Sequence, residues 1–574
     1  MTDVLIRGGR VVDGTGAESV TADVMIEGDH IAAVIPPGTV STDAANVFDA
    51  TGKVVAPGFV DVHTHYDAQV FWDGTLSPSP LHGVTTALAG NCGFGIAPLS
   101  GDRADGEYLM RMLARVEGIP LETLEEGVPW DWRTTEDYFA QVEPRLGINA
   151  GFMVGHSAIR RAVMGRAAVE RESTAEELGA MTALLREGLE AGGLGFSTTW
   201  SRGHNDADGN MVPSRHGSRE EMVELARIAG EYEGTSLEIN PKMGPLEPWT
   251  VELMTDLSVA AGRTINWNLL VVTAKNLALG LEQLAADDFA RARGGRIVAL
   301  TVPMTVPLRL SFRSGFVYDS MPSWEHVMGL PHEQKVAVFR DHDERRRLDA
   351  AAQDPANPMR HVARWAQLTI HDVVAPENEQ YVGATVGEIA AAEGGDPFDV
   401  LCEIVLRDDL RTGLVMTPRP DTVDDWQARA SVWRDARALV GGSDAGAHLD
   451  MMSTANYATQ MLAATREHSL MSLEEAVHLI TQVPADLYGL RDRGVVREGW
   501  KADLVVFDPE TVGTAPVRMR YDLPAGAGRL VADAAGVEHV FVNGVPIVHG
   551  GRLTDQRPGA LLRSGRDTRT SSPV

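Results

Sequence analysis

Short apolar runs broken by Gly, Asp and Asn turns open the chain. Val4-Leu-Ile, Arg10-Val-Val, Asp23-Val-Met-Ile and Ile31-Ala-Ala-Val read as β-strands up to about residue 56. The far end repeats the pattern in Ala502-Asp-Leu-Val-Val-Phe, Val537-Glu-His-Val-Phe-Val, Val545-Pro-Ile-Val and Gly550-Gly-Arg-Leu. The two termini, 1–56 and 495–560, are therefore expected to form one small discontinuous β-sandwich domain. Between them, apolar strands alternate with helical stretches such as Ala175 to Ala191 and Arg219 to Glu231. Strand ends fall near 60, 87, 152, 195, 237, 267, 299 and 440. Such alternation is the βα signature of a parallel sheet, and eight units predict a closed (β/α)8, TIM-like barrel over 57–494. Residues 303–430 hold too much chain for one barrel helix and predict an inserted lid or cap. A second insert is expected at 101–147. The polar tail from about 562 is expected to fray.

Composition narrows the function classes. The chain has 574 residues, 44% of them apolar, enough for a buried barrel and a second unit. Eighty acidic residues against 51 basic ones give a net charge of −29. That balance argues against nucleic acid and against an anionic membrane surface, since both need clustered Lys and Arg. Only two cysteines occur, Cys92 and Cys402, so no disulfide framework is implied. No signal peptide is visible, and no stretch of 18 apolar residues exists. A cytoplasmic protein is expected, with a homo-oligomer left open.

Candidate chemistry starts at Gly58-Phe-Val-Asp-Val-His-Thr-His65. Strand residues two apart face the same way, so His63 and His65 point together and can grip one divalent metal. Cys92 follows the next strand-like run, Val84 to Ala89, among glycines at 90, 93 and 95. Asp444 lies in Gly441-Gly-Ser-Asp-Ala-Gly-Ala-His448, after the apolar run Ala438-Leu-Val. An Asp at a late strand end suits a metal ligand that also moves protons. Alternatives stay open for each: Cys92 as a small buried hydrophobe, Asp444 as a helix cap, a lone His as a core residue.

This ordered set resembles the amidohydrolase superfamily, and within it the N-acyl-D-amino-acid deacylase (D-aminoacylase) family, over nearly the whole chain. Gly58 to His65 is similar to that family's metal-binding first strand, and Asn91-Cys92-Gly93 to its second-strand cysteine ligand. Gly155-His-Ser-Ala-Ile-Arg160 is similar to its Gly-His-x-x-x-Arg segment, Gly192 to Thr198 to its glycine-rich fourth strand, and Ser443-Asp444 to the strand that brings the catalytic aspartate. The resemblance implies a metal-dependent hydrolase of a linear amide. The family also places a histidine at the ends of its fifth and sixth strands. Here Thr235-Ser-Leu-Glu-Ile-Asn240 and Thr264-Ile-Asn-Trp-Asn268 hold none. Glu238 is the best stand-in as a ligand, with a structural ion pair as its rival. Asn240, Asn266 and Asn268 read as hydrogen-bond partners.

The expected metal ligands are thus His63, His65, Cys92, Glu238 and Asp444. Nitrogen and thiolate donors favour zinc, as one ion, or one tight and one weak. Hydroxide formed on the metal would attack an amide carbonyl, with Asp444 taking the water's proton and handing it to the leaving nitrogen. His156 either meets substrate or orients a ligand. His448 sits far past the strand end. Arg202 and His204, in the loop Trp200 to Asp206, and Arg215 are candidates for substrate binding, an arginine gripping a carboxylate. Two rival readings remain. A dihydropyrimidinase- or hydantoinase-like cyclic-amide hydrolase would use a carboxylated lysine on the fourth strand, and Gly192 to Thr199 has none. A degenerate barrel serving as a binding protein would explain the missing histidines.

Overall fold

Valine-, threonine- and alanine-rich runs form the strands at the centre of the molecule. A computed structural model describes residues 3–39, 46–242, 244–315, 317–357, 359–416 and 421–571. The central strands are β1 (Phe59–Asp61), β2 (Val84–Ala89), β3 (Asn149–Phe152, resumed at Val154–Gly155), β4 (Gly195–Thr199), β5 (Ser236–Asn240), β6 (Thr264–Leu270), β7 (Arg296–Thr301) and β8 (Ala438–Val440). Each pairs in parallel with the next, β1 to β3 in one arc and β3 to β8 in another. Backbone contacts span both gaps between the arcs. Met153 N donates to Ala89 O (2.8 Å) and Leu194 N to Phe152 O (2.8 Å), while Thr64 bridges Ala445 in parallel. Val60, Val62, Leu88, Met153, Leu194, Val298, Leu300 and Leu439 share one buried cluster. Side chains fill this space, as an α/β parallel architecture requires.

Helices cover the outer faces of the strands. Ala175–Glu190 and Arg219–Ala229 match the expected stretches to within two residues. Thr174 caps the first in a reciprocal pair with Glu177, and Ser218 caps the second. Alternation decides which strand residues these helices cover. On β5 and β6, Leu237, Ile239, Ile265 and Trp267 pack outward against helical Leu225, Leu253 and Leu257. Glu238, Asn240, Asn266 and Asn268 therefore face inward.

The two chain ends meet in one mixed sheet of nine strands. Val54–Pro57 lies antiparallel to Leu504–Phe507, the pairing that joins the halves. Ile6, Val24, Ile26, Val55, Leu504, Val506 and Phe541 form its core.

Residues 309–416 build a separate core on a three-stranded antiparallel sheet, with Phe312, Tyr318, Trp324, Phe339, Trp365 and Phe398 packed together. Two helices, His332–Arg340 and His342–Ala352, follow one another in this unit. Asp341 is extended between them, and its carboxylate accepts from Asp343 N (2.8 Å) and Glu344 N (3.3 Å). The 101–147 stretch is three helices, Arg103–Val116, Leu121–Gly127 and Thr135–Val142, joined to the main core.

Through residue 571 the tail is tied down and does not fray. Leu562 is fully buried in the strand interior, and its N–H donates to Ala150 O (2.8 Å). Further on, Thr568 Oγ1 donates to Gly234 O (2.6 Å) and Arg569 N to Gly489 O (2.8 Å). These ties to backbone carbonyls do not depend on apolar content, so a polar composition concealed them. Among the described residues no helix is long and apolar enough to cross a membrane.

Candidate metal centre and active site

Beyond β1 the chain stays extended to His65, and the expected same-side placement follows. The His63 and His65 rings lie 5.3 Å apart, centroid to centroid. Asp61 fixes this segment against the end of β8. Its carboxylate accepts from His63 N (3.4 Å), Ser443 N (3.2 Å) and Ser443 Oγ. Asp444 N then donates to His63 O (3.0 Å) and His65 N to Ala445 O (2.7 Å). One backbone seam thus carries both histidines and the aspartate.

Four predicted side chains converge. Asp444 Oδ1 is 3.0 Å from His65 Nε2 and 3.5 Å from His63 Nε2. Cys92 Sγ is 3.7 Å from the same His63 Nε2. His63, His65 and Cys92 each offer a donor atom within 4.8 Å of the others, a grouping that could hold a metal ion. Cys92 and Asp444 both hold left-handed backbone, at φ +55° and +57°. Such strain costs about 1–3 kcal/mol per non-glycine residue and concentrates at functional sites. The turn before Cys92 also requires Gly90, at φ +77°, where a Cβ would lie 2.4 Å from Met153 O.

Electrostatics follow from this crowding. Burial alone would push the Asp444 carboxyl up, but the hydrogen bonds from His63 and His65 outweigh it and hold it well below the usual range. Burial likewise lowers His63, yet the Asp444 bond and the Glu238 charge leave it raised. Burial keeps His65 lowered. Burial, then the Glu238, Glu117 and Asp444 charges, drive the Cys92 thiol up.

Glu238 does not join the converging donors. Its Oε2 accepts Cys92 N–H at 2.7 Å, and its Oε1 lies 3.9 Å behind His63, on the Nδ1 side. Burial pushes this carboxyl up to about 7 against the opposing pull of His63. Asn268 settles its surroundings. With its amide nitrogen toward Glu238 Oε1 (2.5 Å) and Ile239 O (2.9 Å), every acceptor meets a donor. The opposite orientation puts that nitrogen on Cys92 Sγ at 3.5 Å and leaves those acceptors unmet, so the first is favoured. Asn240 Nδ2 lies 3.8 Å from the same sulfur.

Glu117 was missed. It caps the end of the helix Arg103–Val116, and only 3% of it is exposed. Its Oε1 is 3.6 Å from His65 Nδ1. Burial and then the Asp444 charge push its carboxyl well up. No motif marks it, and only tertiary docking brings it here. His448 reaches further in than its sequence position suggests, with Nε2 3.8 Å from Asp444 Oδ2.

The remaining candidates divide. His204 bonds Thr199 Oγ1 through Nδ1 (2.8 Å), and its ring is tilted 56° to that of Phe94 with centroids 5.0 Å apart. Burial, then His448 and His65, lower it to about 3, so it stays neutral beside the cluster. Arg215 is half-buried, and burial and neighbouring Arg202 lower its guanidinium. Among the described residues neither arginine has a carboxylate within 4 Å. His156 is not brought to the cluster. Fully buried, it bonds Thr198 Oγ1 (2.9 Å) and Glu221 Oε1 (2.7 Å), which also holds Arg160. It begins the helix His156–Met164, so both ring nitrogens are spent on that network. Glu221→Ala is expected to destabilise the fold by about 3–5 kcal/mol, by stranding the buried Arg160 charge. Denaturant unfolding measures this, and a loss under about 1 kcal/mol would show that the network relaxes.

The amidohydrolase family profile matches residues 46–548. The chain is 27% identical to D-aminoacylase of Alcaligenes xylosoxydans xylosoxydans, over 98% of this chain and 97% of that protein. It is 28% identical to N-acyl-D-glutamate deacylase of the same organism, over 98% and 96%. A D-aminoacylase crystal structure matches with a TM-score of 0.65 at 26% identity, covering 98% of this chain and 100% of that one. A second D-aminoacylase structure, described as having a binuclear metal centre activated by one metal and attenuated by the other, matches with the same score at 25% identity.

Proposed function

Because the chain belongs to the amidohydrolase family, we propose that it is a zinc-dependent deacylase of N-acyl-D-amino acids. The observation that carries this reading is the meeting of His63 Nε2, His65 Nε2, Asp444 Oδ1 and Cys92 Sγ at strand ends. Parallel pairing from β1 to β8 and the ties across both gaps support a closed (β/α)8 barrel, whose active sites lie at that end. The nine-stranded terminal sheet supports a small β domain at 1–56 and 495–560, and the separate core of 309–416 supports a cap inserted within 303–430. Two free, buried cysteines support a cytoplasmic setting.

The donor set fits zinc, held by His63, His65 and Asp444 with Cys92 alongside. A bound zinc ion supplies a Lewis acid for the scissile carbonyl and acidifies water. Asp444 accepts the proton of the attacking water and delivers it to the leaving nitrogen. The carbon–oxygen bond forms first, and the carbon–nitrogen bond then breaks as the nitrogen takes the proton, giving a carboxylate and a free amine. Arg215, supported by Arg202, takes the substrate carboxylate, since among the described residues neither arginine is paired with a carboxylate of the chain. His204 offers a neutral imidazole within electrostatic reach of both that arginine and the cluster. Glu238 holds His63 and Cys92 in place. A cavity of about 570 Å³ lies between the 118–122 segment and the inserted unit. A smaller one, about 50 Å³, is lined by His448.

N-acetyl amino acids of both hands, with hydantoin and dihydrouracil, form the test panel. The D-isomers should be hydrolysed, with loss on chelation and recovery with zinc. Turnover confined to the cyclic amides would contradict the reading.

A further inference from the structure

Two buried carboxylates lie beside the histidine pair, and they differ in one respect. Glu238 is fully partnered, by Cys92 N–H and the Asn268 amide. Glu117 is not. Among the described residues no donor lies within hydrogen-bond distance of its carboxylate, although only 3% of the residue is exposed. Its neighbour His65 Nδ1, at 3.6 Å, is itself buried and without a hydrogen-bond partner. Burying an ionised carboxylate costs several kcal/mol unless a cation or donors replace its water. Asp444 Oδ1 lies 3.0 Å from His65 Nε2, and a carboxylate oxygen of each acid comes within 4.8 Å of the other, so a second negative charge shares the space.

The backbone holds Glu117 there firmly. Its carbonyl accepts the His448 N–H from the loop that carries Asp444. Gly118, at φ +56°, lets the chain pass that loop, since a Cβ would lie 3.2 Å from His448 Cα. A carboxylate oxygen of Glu117, a ring nitrogen of His65 and a carboxylate oxygen of Asp444 lie within 4.8 Å of one another, apart from the grouping of His63, His65 and Cys92. We propose that Glu117 is a direct protein ligand to a divalent cation held with His65 and Asp444. This chain would then recruit a carboxylate from outside the strand ends, where β5 and β6 offer only Asn240 and Asn268. The inference rests on the metal-dependent reading above.

Zinc titration of chelator-treated full-length protein tests it, with elemental analysis for stoichiometry. Glu117→Gln keeps shape and can still accept a hydrogen bond from His65, but gives up the anionic ligand. Losing a hydrogen-bonding partner of a ligand weakens metal binding by about 10–100-fold. Glu117→Gln should therefore weaken zinc by more than about 100-fold, or lower the stoichiometry. A smaller loss at wild-type stoichiometry overturns the proposal and leaves the metal-dependent reading standing. A wild-type chain that takes up no zinc overturns both. If Glu117→Gln does not fold, cobalt-loaded Glu117→Asp replaces it. Its ligand-field bands should shift from those of the cobalt-loaded wild type, and unchanged bands overturn the proposal.

Discussion

Replacing His63 and His65 together with alanine should strip the protein of bound metal and abolish amide hydrolysis. Both Nε2 atoms face Asp444 Oδ1, at 3.5 and 3.0 Å, and no other imidazole among the described residues lies as close to it. Zinc in catalytic sites takes about three protein ligands, so removing two leaves too few. Elemental analysis of the purified double variant should read background metal, against near-stoichiometric content in the wild type. The fold should persist, because the seam linking β1 to β8 uses backbone groups, Asp61 and Ser443, not the rings. Metal retained at wild-type level would place the centre elsewhere.

Asp444→Asn should lower kcat by about 10²-fold or more, the scale of lost general acid–base catalysis. Asparagine tolerates the left-handed backbone at this position as well as aspartate does, so local geometry survives. Its amide can still accept from one histidine, but it cannot carry the water's proton. Because Asp444 also faces the cation, kcat is to be measured at saturating zinc, with occupancy determined alongside. A kcat within tenfold of wild type at full occupancy would assign the proton transfer to another group, with Glu117 nearest.

Periodicity carried much of this architecture. Alternating strand and helix patterns placed the central strands and their flanking helices, and the His-x-His spacing predicted two rings on one side. Asp444 and Cys92 could be found because glycine-rich turns follow apolar runs there. Glu117 could not. It sits at a helix end with no motif, and reaches His65 only because its carbonyl docks on His448, 331 positions along the chain. His156 shows the complementary failure. Its place after β3 was evident, but not that the ring would turn into the Glu221 and Arg160 network. On β5 a one-residue register error exchanges inward and outward faces. Fixing Glu238 and Asn240 on one face still left open which of them approaches Cys92, and both do, one through the backbone and one near the sulfur. The tail misled for a different reason, since its anchors are carbonyls that composition does not register.

The central claim is that the end of β1, Cys92 and Asp444 enclose a catalytic metal. Anomalous diffraction collected on either side of the zinc absorption edge, from crystals of active protein, tests it most directly. The account predicts a strong peak about 2.0–2.2 Å from His63 Nε2, His65 Nε2 and an Asp444 oxygen. An active crystal with no peak at that position would contradict it.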